Sequence, residues 1–405
     1  MAMRGKRELR RKRNPLRMML GVVLAAELLL AAGLAVCKLS GHDRSGQDEP
    51  AFSDTVEELR GPEQPVPEQV PQADAPESPA ECREEPPERK PFVISLLGDC
   101  TLSSSHYTNH FESVVGDNLE YPFSNVAELL TADDLTLANL ECSFSNQRLE
   151  SESEYAFCGQ PKYAYSLALG GVDCVSMANN HTADFGSAGV ADTVAALENA
   201  GVTGIQGNQS VCFELRHDDG TTLRVGIYVL DFNGSADQMK KGTARLREDG
   251  ADIVIACMHA GAEKIYVPTK RQTYLAHAAI SGGADVVVGT HPHVLQPTEA
   301  YENGVILYSI GNFCFGGNRN PGDKDTAIAQ LVVDVKDTGV AWDMEYVPCS
   351  VSSVSNRNDY RPTPYIEGTD GYQRCLKKLA APWNGMTAEK AALEAERQGT
   401  DNEAA

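Results

Sequence analysis

Between residues 92 and 310 short apolar runs alternate with helix-like segments, and this alternation limits the chain to an α/β domain. The runs fall at 92–97, 135–140, 174–178, 225–230, 253–258, 286–288 and 305–310. Two intervening segments read as helices: 187–199 (SAGVADTVAALEN), closed by Gly201, and 270–280, closed by Gly282 and Gly283. Glycine ends helices because it enters left-handed backbone without steric penalty. Two later runs, 327–335 and 340–347, have no helix between them and read as antiparallel strands closing a second sheet.

Each strand-like run ends in residues that bind metals. The first leads into Asp99, the second into Asn139 and Glu141, the third into Asn179, Asn180 and His181. Residues 253–258 lead into His259 and Glu263, and 286–289 into Thr290, His291 and His293. Strand C-termini share one edge of an α/β sheet, where ligands bind, so five such ends make a mixed oxygen and nitrogen cage. Taken singly, Asp99 and Asn180 are also ordinary loop-starting types, and a lone histidine is more often structural than a ligand. The recurrence at successive strand ends is what argues for a site.

The flanks differ from this core. Residues 1–17 carry eight basic side chains against Glu8, and 18–36 (MMLGVVLAAELLLAAGLAV) are apolar except for Glu27. A run of this length approaches the roughly 20 residues a helix needs to cross a bilayer. The basic flank places the N-terminus in the cytoplasm and the rest outside, as a single-pass protein of the cell membrane. A cleaved signal peptide is the alternative, against which stand the length and the lack of a small-x-small cleavage site. A lipoprotein signal ending at Cys37 is disfavoured by the bulk of Val36. Residues 37–90, rich in Pro and Glu, read as a disordered stalk, 91–350 as the folded domain, and 351–405 as a C-terminal extension and tail.

A formal net charge of -22 excludes a nucleic-acid binder, because a phosphate backbone would be repelled. The 11 cysteines include no C-x-x-C pair, and several lie inside apolar runs, so they read as small buried residues and not as a disulfide framework.

The blocks LLGDCTL, LANLECSFS, SMANNHTADFGSAGVADTVAALENAGV, ACMHAGAE, GADVVVGTHPHVLQPTE and ILYSIGNF, in this order, resemble the CapA family of bacterial poly-γ-glutamate capsule synthesis proteins. That family is related to the calcineurin-like metallophosphoesterases. The resemblance covers roughly residues 91–315 and implies a metallophosphoesterase-like layered β-sandwich flanked by helices, here with an N-terminal transmembrane helix. It further implies one or two divalent metal ions, Mn, Zn or Fe.

By that resemblance Asp99 is a ligand of a first metal, Glu141 the bridging carboxylate and Asn180 an amide-oxygen ligand of a second. His259 and His291 resemble the imidazole ligands of the second metal, His293 a ligand of the first. His181 resembles the catalytic histidine that protonates the leaving group or stabilises the transition state, and Asp184 orients its ring. The family pattern opens with D-x-H, whereas here Asp99 is followed by Cys100 and Thr101, so the first position is one histidine short unless His106 supplies it. Glu263 and residues 296–299 are further cleft candidates, equally readable as solvated loop.

Three functions follow as expectations. The first is a metal-dependent hydrolase-like protein acting in synthesis, export or attachment of poly-γ-glutamate or another anionic capsule polymer. The second is a non-catalytic subunit docked on membrane polymer synthase or export partners, and the third an extracytoplasmic phosphatase or phosphodiesterase. Membrane lipid around the N-terminal helix, and an anionic polymer or phosphoester as substrate, are the corresponding partners.

Overall fold

Among the described residues sixteen strands carry the fold, and they enter it in three stretches of chain. The computed structural model describes residues 89–105, 108–147, 151, 153 and 155–381. The first stretch holds β1 (Phe92–Thr101), β2 (Leu135–Leu140), β3 (Ser143–Phe144), β4 (Cys158–Gly159), β5 (Cys174–Ser176) and β6 (Thr203–Ile205). The second holds β7 (Gln209–Arg216), β8 (Thr222–Val229), β9 (Ile253–His259), β10 (Val286–Thr290), β11 (Thr298–Tyr301) and β12 (Gly304–Leu307). The third returns with β13 (Asn312–Phe315), β14 (Asp325–Lys336), β15 (Gly339–Ser350) and β16 (Thr363–Pro364).

These make two main sheets. One runs β16-β15-β14-β1-β2-β5-β6 with β13 also on β1, the other β11-β12-β10-β9-β8-β7, while β3 and β4 pair separately. Strand β1 changes partner along one side: β14 pairs antiparallel with Phe92–Leu96, and β13 takes over in parallel from Asp99. The β14–β15 pair therefore extends the first sheet, and the expectation that it closes a second one is corrected. Its side chains alternate, but alternation says nothing about which edge a hairpin joins.

The layers follow from what each face buries. Ile94, Leu96, Leu135 and Leu137 of the first sheet pack with Val225, Ile227, Ile255, Val286 and Val288 of the second in one apolar cluster. The outer face of the first sheet buries Leu97, Cys100 and Val175 with Phe111, Leu167 and Leu197 from helices His110–Val115, Ala164–Leu169 and Gly186–Ala200. Outside the second sheet, Val254, Ala256 and Val287 pack on helices Ala236–Glu248 and Lys270–Ser281. Central strands such as β9 and β10 are buried on both faces, which explains their unbroken apolar composition. The result is a layered α/β domain, a two-sheet sandwich with helices on both outer faces.

Both helices on the second sheet start at a capping box, Ser235 with Gln238 and Thr269 with Gln272. Leu275 and Ile280 then point inward, each worth roughly 2 kcal/mol of burial. Helix Gly186–Ala200 stops at Gly201, whose φ of 81° is the left-handed conformation expected of it.

The folded unit does not end at Ser350. Tyr360 is buried in the first-sheet cluster, and helix Asp370–Leu379 inserts Cys375 and Leu379 against Leu295 and Ala327. The amphipathic spacing of that helix needed a partner face, which β14, β15 and Leu295 provide. The basic segment, the transmembrane span, the stalk up to residue 88, His106 and the tail from residue 382 all lie outside the described residues. Among the described residues no helix is long and apolar enough to cross a membrane.

Asp325, buried on β14, locks the last helix. It accepts from Arg374 Nε at 2.6 Å and Nη2 at 2.7 Å, from Lys378 Nζ at 2.8 Å and from the Tyr365 hydroxyl at 3.0 Å. Burial alone would raise its pKa, but the hydrogen bonds from Arg374 and Lys378 hold it below the usual carboxylate range. A depressed carboxylate stabilises the fold above its unfolded value and loses that contribution as the pH falls through its folded one. Arg374→Ala is therefore expected to cost about 1–2 kcal/mol at neutral pH, discounted because the guanidinium is half exposed, with the deficit shrinking below about pH 4. Urea denaturation of both proteins across that range checks it; a pH-independent deficit would contradict the pairing.

Candidate metal centre

The C-terminal ends of β1, β2, β9 and β10 and the loop after β5 converge on one edge of the sandwich. Glu141, directly after β2, is 1% exposed, and neither of its carboxylate oxygens has a hydrogen-bond partner. His259 closes β9, with Nε2 at 2.7 Å from Asn180 Oδ1, 3.1 Å from His291 Nδ1 and 3.3 Å from Glu141 Oε1. These are the four residues assigned to the second metal. Ligand atoms of Glu141, His291 and His293 also lie within 4.8 Å of one another.

His291 and His293 flank Pro292 with φ angles of 100° and 58°, left-handed conformations that non-glycine residues resist. Such strain persists where surrounding structure enforces it. Here Lys264 N donates to Pro292 O at 2.8 Å and His291 N to Asp99 Oδ2 at 3.2 Å.

Asp99 meets the site differently from its expected role. Its Oδ1 accepts from Asn139 Nδ2 at 2.8 Å, and its Oδ2 lies 3.1 Å from His293 Nδ1, which is also 2.8 Å from Asn312 Oδ1. With Nδ1 held by these two acceptors, His293 turns Nε2 inward, 3.9 Å from Glu141 Oε1. Asp99 thus orients a ligand as directly as it could serve as one. The imidazole of His259 is set similarly, its Nδ1 2.9 Å from Thr290 Oγ1.

His181 stands at the rim. Its Nδ1 donates to Asp184 Oδ2 at 2.9 Å, leaving Nε2 4.0 Å from Glu141 Oε1, and Asp184 Oδ2 also accepts from Phe157 N at 3.0 Å. Burial depresses the His181 pKa, but the Asp184 hydrogen bond and the Glu141 charge raise it overall. His181 lines a cleft of about 710 Å³ with Tyr155, Phe157, Glu263, His293 and Asn312. Glu263 belongs to the cleft wall. Gln296 does not: it is buried and braces the 265–267 loop, and Glu299 pairs with His277 at 3.0 Å.

The electrostatics fit a cation. Burial, then the Asp99 charge, pushes Glu141 up to about 8. Burial holds His259 down to about 3, and burial with the neighbouring His259 holds His291 down to about 4, so both are neutral imidazoles ready to ligate. Burial opposes charge on His293 too, yet Glu141 and Asp99 overcome it and raise it to about 10. Two orphaned carboxylate oxygens facing neutral imidazoles are what a divalent ion would satisfy. Cys100, by contrast, is pushed up to about 12 by burial and remains a thiol on the opposite face of β1.

All eight residues singled out by sequence are brought together. Asn139, Asn312 and Thr290 were not assigned roles, although each sits at a strand end. The place was visible; the partner was not.

Comparison with known proteins agrees in extent with this domain. The family described as Bacterial capsule synthesis protein PGA_cap matches residues 93–211 and 214–317, more than half of the chain. A capsule biosynthesis protein CapA of Bacillus anthracis is 26% identical over 298 residues, covering 66% of this chain and 69% of that protein. A PGA biosynthesis protein CapA of Bacillus subtilis is 29% identical over 240 residues, covering 54% and 62%. A probable polyglutamine synthesis accessory protein of Mycobacterium tuberculosis is 26% identical over 211 residues, covering 45% and 56%. The chain thus spans between about half and two thirds of the length of these relatives.

Proposed function

This chain belongs to the PGA_cap family of bacterial capsule synthesis proteins, and on that premise we propose that it acts in synthesis, export or attachment of poly-γ-glutamate or a similar anionic polymer through a metal-dependent hydrolase-like site. The observation that carries the reading is the pair of unpartnered, buried Glu141 oxygens among His259, His291 and His293. In the same reading the domain is metallophosphoesterase-like, and residues 18–36 anchor it to the membrane with the domain outside.

Glu141, Asn180, His259 and His291 would hold one divalent ion, and His293 with Glu141 and Asp99 a second. Such ions supply Lewis acidity to a reacting oxygen. The protein's own groups do the rest. Asp184 fixes the His181 ring by accepting from Nδ1–H and stabilises the imidazolium, whose Nε2–H faces the site and can pass a proton to a leaving oxygen or nitrogen. Phe157 stacks edge-on to that ring at 4.7 Å and shields one side from water.

The test is metal content of the purified full chain, together with turnover of γ-glutamyl, phosphodiester and phosphomonoester substrates. His181→Ala is expected to lower kcat at least roughly hundredfold while metal stays bound. Bound metal without turnover of any substrate would favour the non-catalytic subunit, a reading supported by the accessory role in the mycobacterial relative's name. A chain that binds no metal would sink the site itself.

A further inference from the structure

A second cleft of about 560 Å³ adjoins the metal cleft, lined by His110, Arg319, Arg357, Asn358 and Tyr360 with small polar side chains. The two share a wall: Phe315, Gly317 and Asn318 face the metal cleft, and the next residue, Arg319, faces this one. Buried Asn358 fastens that wall, donating from Nδ2 to Phe315 O at 2.8 Å and Asn318 O at 3.0 Å and from its backbone N–H to Arg319 O at 2.8 Å. Beneath it the Tyr360 hydroxyl and His110 Nδ1 meet at 2.6 Å. The two guanidiniums are thus carried on a braced scaffold.

Neither arginine makes an ion pair among the described residues, unlike Arg361 and Arg374, which face Asp359 and Asp325. Of the nearby acids, Glu112 accepts from Ser104 N through Oε1 while its Oε2 is buried without a hydrogen-bond partner, and Asp359 accepts from Ser352 and Ser353. A chain of net charge -22 would repel an anionic polymer over most of its surface. Two unpaired guanidiniums in one cleft reverse that locally, and their planar forks match carboxylates.

We propose that Arg319 and Arg357 form a carboxylate subsite that grips successive free carboxylates of a γ-linked glutamate chain whose reacting bond lies in the metal cleft next door. This rests on the functional reading above and adds where the polymer is held. An extended chain suits the place, because the cleft carries both guanidiniums and is continuous with the Phe315–Arg319 wall.

The experiment titrates a fluorescent γ-linked glutamate oligomer into the full-length protein, reading anisotropy at rising salt. The Arg319→Ala/Arg357→Ala double variant is expected to bind roughly a hundredfold more weakly, about tenfold per lost guanidinium, with a shallower salt dependence. The Arg319→Lys/Arg357→Lys variant should fall between, and Arg224→Ala, an exposed arginine on β8, should match the wild type. Both arginines are exposed, so unchanged melting curves establish that the variants fold. Equal affinity in the alanine double variant overturns the subsite, as does a wild type that takes polyphosphate but ignores the oligomer. Loss of oligomer binding in the double variant with no metal in any protein would keep the subsite and fell the metal reading; metal and turnover with arginine-independent binding would do the reverse.

Discussion

Glu141→Gln is expected to abolish metal binding and at the same time to raise the stability of the metal-free protein. The two effects have one cause. Both Glu141 oxygens are buried without a hydrogen bond, and an unsatisfied buried group of this kind costs about 1–3 kcal/mol. Glutamine has nearly the same shape and no charge, so the chelator-treated variant should gain about 1–2 kcal/mol. Burial and Asp99 raise the folded pKa of Glu141 above its unfolded value, so the carboxylate opposes folding increasingly as the pH climbs past the ordinary carboxylate range. The stability gap should therefore open toward neutral pH and close in acid. With metal supplied the order reverses, because the variant loses the ligand common to both metal positions, and its affinity should drop by more than about a hundredfold. Melting curves with and without chelator at several pH values, beside metal titration, read both halves. A variant that keeps its metal, or that is less stable than the wild type in chelator, would show that the carboxylate has another task.

Gly98→Ala should be among the most destabilising small substitutions in the domain, and it should disable the site as well. A Cβ at this position would stand 1.9 Å from the carbonyl oxygen of Gly311. The close approach is where β1 exchanges β14 for β13, and it is sealed by the Asp99 N–H donating to Gly311 O at 3.0 Å. No flexible side chain can yield there, since both partners are backbone. Separation of the two segments would displace Asp99 on one side and Asn312, the partner of His293, on the other. A loss of about 3 kcal/mol or more is expected, at the upper end of what overpacking causes. Gly322→Ala, where an added Cβ meets nothing within 4 Å, is the control and should be nearly neutral. Gly98→Ala melting with the control and binding metal normally would show that the strand crossing at Gly311 tolerates a side chain.

Much of this was legible in residue order. The apolar runs at 92–97, 135–140 and 253–258 became β1, β2 and β9, and Gly201 ended its helix as expected, because periodicity and capping act within a few residues. The site residues were legible for a related reason: a polar side chain that breaks off an apolar strand lies at the sheet edge whatever the neighbouring strand is. Helix Ala236–Glu248 and strand β7 were harder to see, since β7 alternates half-buried and exposed positions without a strong apolar signal.

The same features divide what the sequence by itself determined from what the tertiary structure decided. Alternating apolar runs and their polar ends were enough for an α/β domain with Asp99, Glu141, Asn180, His181, His259, His291 and His293 near one edge. Local chemistry writes those. The tertiary structure alone decided that β14 joins β1 and not a second sheet, that Asp99 holds the His293 ring in place, and that the fold runs on past Tyr360 to helix Asp370–Leu379. It alone put Arg319 beside Arg357 across an intervening hairpin and left the Glu141 oxygens without a hydrogen-bond partner. Those outcomes depend on register, burial and field between segments far apart in the chain, and a sequence read locally carries no term for them.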